Sequence, residues 1–296
     1  PVVSRFVPSL TFNTVGTLTS LATWLVAMSS FFLAVFVAHQ KRDTLLHEGS
    51  VQVVEMALMY IVLMGTVYIL LLLDDPTLWT LMTLAIGLLF VFVLFRAKEF
   101  PRRSLLLVPL CLLIVSLAFW FVLPGLSEPS LPLEVIPSAT TSQMIAEQTL
   151  QQHSSSWGSG PGTYAFDFAR FRPVSLNQTD FWNVRFDRAS SFLLTLVPTI
   201  GMFGVTLLGL FVLLLLVQAL TQALRPGARE QWLETFAHLV PWAVLLVSGA
   251  MVAWNMTLVV SFGVFSGLLA SQVMRRDWTK TWHKAPAVKL VVSFLF

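Results

Sequence analysis

The chain has 296 residues, of which 56% are hydrophobic and only 11% charged, against about 25% charged in an ordinary soluble domain. A water-soluble fold cannot hide that much apolar surface, so the composition excludes a soluble globular protein. The 18 basic against 15 acidic residues leave a net charge of +3, too small an excess to argue for nucleic acid as a partner.

A membrane-spanning helix needs roughly 20 mostly apolar residues. Seven segments qualify, at about 15–37, 53–73, 78–95, 105–123, 192–216, 237–253 and 256–270. The last two are nearly continuous and divide at Trp254-Asn255, where a polar residue beside an interfacial aromatic suits a tight hairpin. The other breaks are Asp74-Asp75-Pro76, Glu99-Phe100-Pro101, Pro124-Gly125 and Arg225-Pro226-Gly227, where proline and glycine stop helices. The expected fold is therefore all-α: a polytopic transmembrane bundle of about seven spans with one long outer loop containing short helices. Its parts are N-terminal spans over 1–123, an extracytoplasmic loop over 124–191 and C-terminal spans over 192–296. No basic n-region with a cleavage site follows Pro1, so a signal peptide is not expected within these residues. Val288 to Phe296 reads as the opening of another apolar segment, so a longer multi-span protein is expected. Cys111, the single cysteine, lies in an apolar run and reads as an inert buried thiol.

Placing the 38–52 loop in the cytoplasm puts 13 of the 18 basic residues inside, among them Lys41, Arg42, Arg96, Lys98, Arg102 and Arg103. Every short loop then obeys the positive-inside rule, with the N-terminal end outside and the C-terminal end inside. The five outer basic residues are all arginine: Arg5, Arg170, Arg172, Arg185 and Arg188. Arginine can grip phosphate oxygens in a bidentate fork, or these side chains can simply pair with Asp167, Asp180 and Asp187.

The outer loop opens with a proline-rich extended piece, Pro124 to Pro137, followed by a helix over about Thr141 to Gln152, capped by Thr141 or Ser142. Gly158, Gly160 and Gly162 alternate and cannot be helical; they suit a tight turn or a nest of N–H groups open to phosphate. Tyr164 to Phe171 is aromatic-rich. If Phe181 to Arg188 is helical, Arg185 and Arg188 share a face, with Trp182 and Phe186 as interfacial anchors, and paired arginines in that belt suit an anionic head group. The outer Asp74-Asp75 pair reads as turn residues or as a divalent-ion site. There is no His-Glu-x-x-His, no Cys-x-x-Cys and no Walker loop, so no metal and no cofactor are expected. His39, His47, His238 and His283 fall on or near the cytoplasmic side, leaving His153 as the outer histidine. No span carries a charge at its centre, which argues against ion-coupled transport.

The string from Trp157 to Gly204 reads Gly-Ser-Gly-Pro-Gly-Thr-Tyr, an aromatic and basic stretch, Arg185, Ser-Phe-Leu-Leu-Thr-Leu and Gly201-Met-Phe-Gly204. Arg5 followed by Thr11-Phe12-Asn13-Thr14-Val15-Gly16 precedes the first span. Together these resemble the O-antigen ligase and polymerase family of bacterial membrane proteins. The resemblance implies a metal-independent glycosyltransferase of the inner (plasma) membrane. Its partners would be a polyprenyl-pyrophosphate-linked glycan, an acceptor on a lipid, glycan or protein, and membrane lipids, without nucleic acid. It also implies pyrophosphate-binding arginines, matched by Arg5 and Arg185, with Arg188, Arg170 and Arg172 in support. Two positions depart from the pattern. Ser190-Ser191 stands where the family has His-Asn, and Thr141, Ser142 and Gln143 stand where it has an arginine ahead of a tryptophan. His153 or Asp187 would then serve as base, or the chain would be a divergent or inactive relative. The alternatives are a flippase or transporter of lipid-linked glycans and a non-catalytic membrane scaffold.

Overall fold

The computed structural model describes residues 15–38, 49–100, 103–121, 134–153, 155–224 and 229–281. Among them, all regular structure is helical: α1 (Leu18–Ala38), α2 (Gly49–Leu73), α3 (Pro76–Phe95), α4 (Leu107–Phe121), α5 (Ala139–Gln152), α6 (Tyr164–Phe171), α7 (Phe192–Leu224), α8 (Arg229–Met251) and α9 (Met256–Thr281), with short 3-10 turns between some of them. This is a helical membrane protein. Among the described residues, five helices, α1, α2, α3, α7 and α8, are long and apolar enough to cross a bilayer. Of the seven expected spans, five are matched by these helices and the other two by shorter apolar helices. The fourth expected span, α4, has 15 residues, or about 22 Å at 1.5 Å per residue, against a hydrocarbon core of about 30 Å. The apolar part of α9 ends at Gln272 and is also short.

The helices sort by how much apolar surface they share. α1 lies at the centre, packed most extensively on α8 and also on α2 and α3. α8 and α1 are 61% and 56% buried over their apolar windows, whereas α7 is only 11% buried at a mean hydropathy of 2.7. A helix that apolar and that exposed presents its side chains to lipid. Side-chain hydrogen bonds clasp the buried faces: Ser29 to Thr66 (2.6 Å), Thr83 to Ser116 (3.0 Å) and the Trp242 indole N–H to the Ser266 hydroxyl (2.9 Å). Between helices in lipid, such bonds contribute roughly 0.6 to 2 kcal/mol each. Aromatic stacking of Phe92 on Phe236 and of Trp79 on Phe119 fills the α3 surface.

The ends of α3 mark the two faces of the bundle. Asp75 caps its start, accepting a hydrogen bond from the Thr77 N–H (2.8 Å) with Pro76 in the first turn. Asp74 sits in the left-handed region at φ 43. These residues are turn and cap, as the plainer sequence reading has it. At the other end, Arg96 donates to the Ala223 carbonyl (2.9 Å) at the end of α7, and its guanidinium lies 4.2 Å from the Trp232 ring centroid. Arg96 thus joins the ends of α3 and α7 to the start of α8. Removing it leaves a helix-end carbonyl without that donor, so Arg96→Ala should destabilise the protein by about 2 kcal/mol, read as a lower thermal midpoint in detergent. Arg96→Lys should recover only part, since a lysine lacks the planar stacking face.

Residues 134–153 and 155–191 form a cap at the Asp75 end. Its small core is Ile145, Tyr164, Phe168, Phe171, Phe186 and Ala189, and α5 rests on α7. α5 begins three residues' worth of hydrogen bonding earlier than the expected caps: Ser138, not Thr141 or Ser142, accepts from the Thr141 N–H (3.2 Å). Ser142 is buried instead, and its hydroxyl accepts from the Ser190 N–H (3.0 Å). The 181–188 stretch is not helical. Arg172 donates to the Trp182 carbonyl (2.6 Å), occupying an acceptor that a helix would use, and aromatic, Asn, Asp and β-branched residues there have weak helix propensity.

Candidate functional site

The cap is locked to the bundle through a break in α7. Pro198 has no N–H to give its helix, and Gly201 adopts φ 66, ψ 177, a region open essentially to glycine alone. The carbonyls of Pro198 and Thr199 accept from the N–H groups of Ser159 and Gly160 (both 2.9 Å). In return, Met202 and Phe203 donate to the carbonyls of Ser155 and Ser156 (both 3.0 Å). The expected glycine turn is therefore a clasp, with Gly158, Gly160 and Gly162 all at positive φ. Two of the N–H groups that a phosphate nest would offer are already given to α7. Asp167, only 4% exposed, accepts from the Ser159 hydroxyl (2.5 Å), fastening the turn to α6. Nothing in the composition of the turn announces Asp167, although an acid in the first turn of a helix is favoured on its own account.

Tyr164 stands behind this clasp. Its hydroxyl is buried against Ser142 without completing a well-formed hydrogen bond. Burial pushes its pKa from 10.0 up to about 12, outweighing the opposing Ser142 contact, with Asp167 adding to the rise. The folded protein holds the phenolic proton more tightly than the unfolded chain does. This contribution is fully present below pH 10 and is lost as the pH climbs from 10 toward 12, in total about 2 to 3 kcal/mol. Thermal midpoints measured between pH 9 and 11.5 should therefore fall less steeply in Tyr164→Phe than in the parent.

The expected site arginines behave differently from one another. Arg188 is engaged on three sides: it pairs with Asp187 (3.1 Å) and Glu134 (3.7 Å) and donates to the Trp254 carbonyl (3.5 Å). Arg172 is spent on Trp182. Arg170 is exposed, its guanidinium 5.4 Å from the neighbouring Phe171 ring centroid. Arg185 is exposed and its side chain makes no ion pair or hydrogen bond among the described residues. His153 is exposed at the end of α5, where its backbone N–H donates to the Thr149 carbonyl. Asp187 is exposed and turned toward Arg188. Arg5 and the 11–14 stretch lie outside the described residues, as do His39, His47, His283 and the tail from 282.

What the structure brings together is the rim around the α8–α9 turn, Val252 to Asn255. The Val252 carbonyl accepts from the Phe192 N–H at the start of α7 (3.0 Å). The Trp254 carbonyl accepts from Arg188, and the Asn255 side-chain amide donates to the Val15 carbonyl, which Thr257 also approaches (3.3 Å). Asn255 in addition caps α9, accepting from the Leu258 N–H (3.2 Å). The hairpin itself matches expectation, but Trp254 is not an interfacial aromatic. It is buried, stacks on Phe192 (4.4 Å) and donates to Ser248 (3.0 Å). Phe186 is likewise cap core, edge-on to Phe168 (5.1 Å). Beside the turn opens a hollow of about 180 Å³ lined by Thr19, Asp75, Thr77, Glu134, Ile136 and the 251–253 segment. Asp75 and Glu134 are the two carboxylates of this lining, and no spacing in the sequence pairs them. The described residues hold no group of three or more His, Cys, Asp or Glu side chains placed for a metal ion.

No family model matches the sequence, and neither a curated protein nor a solved structure matches it.

Proposed function

We propose that this protein transfers a glycan from a polyprenyl-pyrophosphate carrier to an acceptor at the outer face of the cell membrane, in the manner of the O-antigen ligases and polymerases its motifs resemble. The observation that carries the proposal is convergence on one turn. The end of the N-terminal motif, at Val15, and the motif after Arg185, through Arg188 and Phe192, both bond to Val252–Asn255. Val15, Arg188 and Phe192, remote in sequence and within or beside the stretches that carry the resemblance, thereby meet at one rim, and the basic-residue distribution favours placing that rim outside.

The chemistry asked of the rim is limited. An acceptor oxygen bonds to the anomeric carbon as the carbon–oxygen bond to pyrophosphate breaks, and the pyrophosphate leaves on its polyprenyl chain. Positive charge aimed at the departing oxygens lowers the barrier; Arg185, exposed and within the stretch that carries the resemblance, supplies it in a bidentate fork, with the exposed Arg170 in support. Arg188, neutralised by Glu134 and Asp187, instead holds the cap against the bundle. The acceptor hydroxyl must lose a proton. Asp75 and Glu134 line the hollow where an acceptor could sit, whereas His153 and Asp187 are exposed, the one at a helix end and the other beside Arg188. Holding carrier and acceptor together supplies the remaining rate gain by proximity.

The test is a reaction in nanodiscs between purified protein, a labelled polyprenyl-pyrophosphate glycan and lipid, glycan or protein acceptors. Product on any one acceptor class supports the proposal and identifies that class. Movement of the labelled lipid between leaflets without product would favour a flippase. Neither product nor carrier binding by folded protein would favour a non-catalytic scaffold.

A further inference from the structure

We infer that Trp157, seated on Phe203, is a membrane-interface anchor that sets the height of the cap against the headgroup layer of the cap-side leaflet. The inference is independent of any transfer reaction and starts from lengths. α3 has 20 residues between the Asp75 cap and Arg96, about 30 Å of helix, which matches the hydrocarbon thickness. Arg96 bonds to Ala223, so the far ends of α3 and α7 are level. Counting back from Ala223 along α7, Gly201 stands about 33 Å away, just past the apolar layer on the cap side. The break, with its irregular backbone, therefore falls where an irregular backbone in contact with lipid is tolerated.

At that level the clasp fixes one large aromatic. Trp157 lies between Ser156, whose carbonyl accepts from Phe203, and Gly158, which faces the Pro198 carbonyl and the Gly201 amide. Its ring meets Phe203 at 5.1 Å, yet it remains 68% exposed and Phe203 49% exposed. Phe203 begins the exposed apolar face of α7 that continues through Leu207, Leu210 and Leu214. Trp157 extends that lipid-facing surface by one ring from a different segment. Its indole N–H has no acceptor among the described residues, and indole at the headgroup level finds one in phosphate or ester oxygens while its rings stay in the apolar boundary. Phospholipid is therefore the occupant that the surface fits.

The test places a nitroxide at Trp157→Cys in a Cys111→Ala chain, since Cys111 is the single native cysteine. The protein is reconstituted in phosphatidylethanolamine and phosphatidylglycerol bilayers, with labels at Phe203→Cys and Asn177→Cys for comparison. The nickel chelate should reach the label at 157 about fivefold less than the one at 177, with oxygen access close to that at 203, as for a site in the interfacial layer. Chelate access equal to that at 177 would overturn the inference, and so would shielding from both reagents, which signals a covering protein surface. Trp157→Phe read by lipids brominated near the headgroup keeps a ring at the site and guards against misfolding of the cysteine variant. Loss of a shallow-quenched fluorescence component is expected, and an unchanged quenching profile would contradict the anchor.

Discussion

Gly201→Ala is expected to separate the cap from the bundle and lower the thermal midpoint by about 10 °C or more, the equivalent of roughly 3 to 5 kcal/mol in a chain of this size. Two costs combine. A side chain at φ 66, ψ 177 carries about 1 to 3 kcal/mol of backbone strain, and a Cβ there would meet the Ser156 carbonyl oxygen at 2.4 Å and the Gly158 nitrogen at 2.5 Å. Both neighbours are backbone, so relief requires opening the paired hydrogen bonds between 155–160 and 198–203, and forced overlap adds roughly 1 to 3 kcal/mol. Gly158→Ala should cost a similar amount, because its Cβ would meet the Pro198 carbonyl at 2.4 Å. The double variant should lose less than the sum, since both changes break the same clasp. Gly209→Ala is the control: its Cβ would meet nothing within 4 Å, and alanine in a helix is favoured over glycine by up to about 1 kcal/mol. Midpoints of Gly201→Ala and Gly209→Ala within about 2 °C of each other would show that the break is not required.

Arg185→Ala is expected to reduce transfer at least tenfold, about 1.4 kcal/mol of transition-state stabilisation or more, while leaving the thermal midpoint near that of the parent. The second half follows from its exposure: the side chain holds no ion pair or hydrogen bond among the described residues, and surface substitutions of that kind are usually worth less than about 0.5 kcal/mol. Arg188→Ala should behave in the opposite way, lowering stability, because Glu134 and the Trp254 carbonyl lose the donor that ties them together. If Arg185→Ala lost activity only through unfolding, its midpoint would fall with its rate, and the distinction between the two arginines would fail.

The membrane helices were legible because hydropathy is carried by each residue in its own place. The ends were less so: α7 runs on to Leu224 because Gln218 to Leu224 are good helix formers although less apolar. Pro198 and Gly201 are both visible in the sequence, but the break they make is completed by carbonyls and N–H groups some forty residues away, which no local pattern reports. The arginines illustrate the same limit. Charge asymmetry picks out all five, yet the partners that separate Arg188 from Arg185 are Glu134 and Trp254, on segments distant in the chain. Trp254 and Phe186 were read as interfacial from their neighbours, and tertiary stacking on Phe192 and Phe168 buries them.

The most direct test of the proposed rim is glycan transfer measured side by side for the parent, Arg185→Ala and Arg5→Ala in nanodiscs, with folding checked by thermal midpoint. Transfer by the parent and a fall of at least tenfold, about 1.4 kcal/mol, in both folded variants is the predicted result. Equal transfer by all three, or none by the folded parent with any acceptor class, would contradict it.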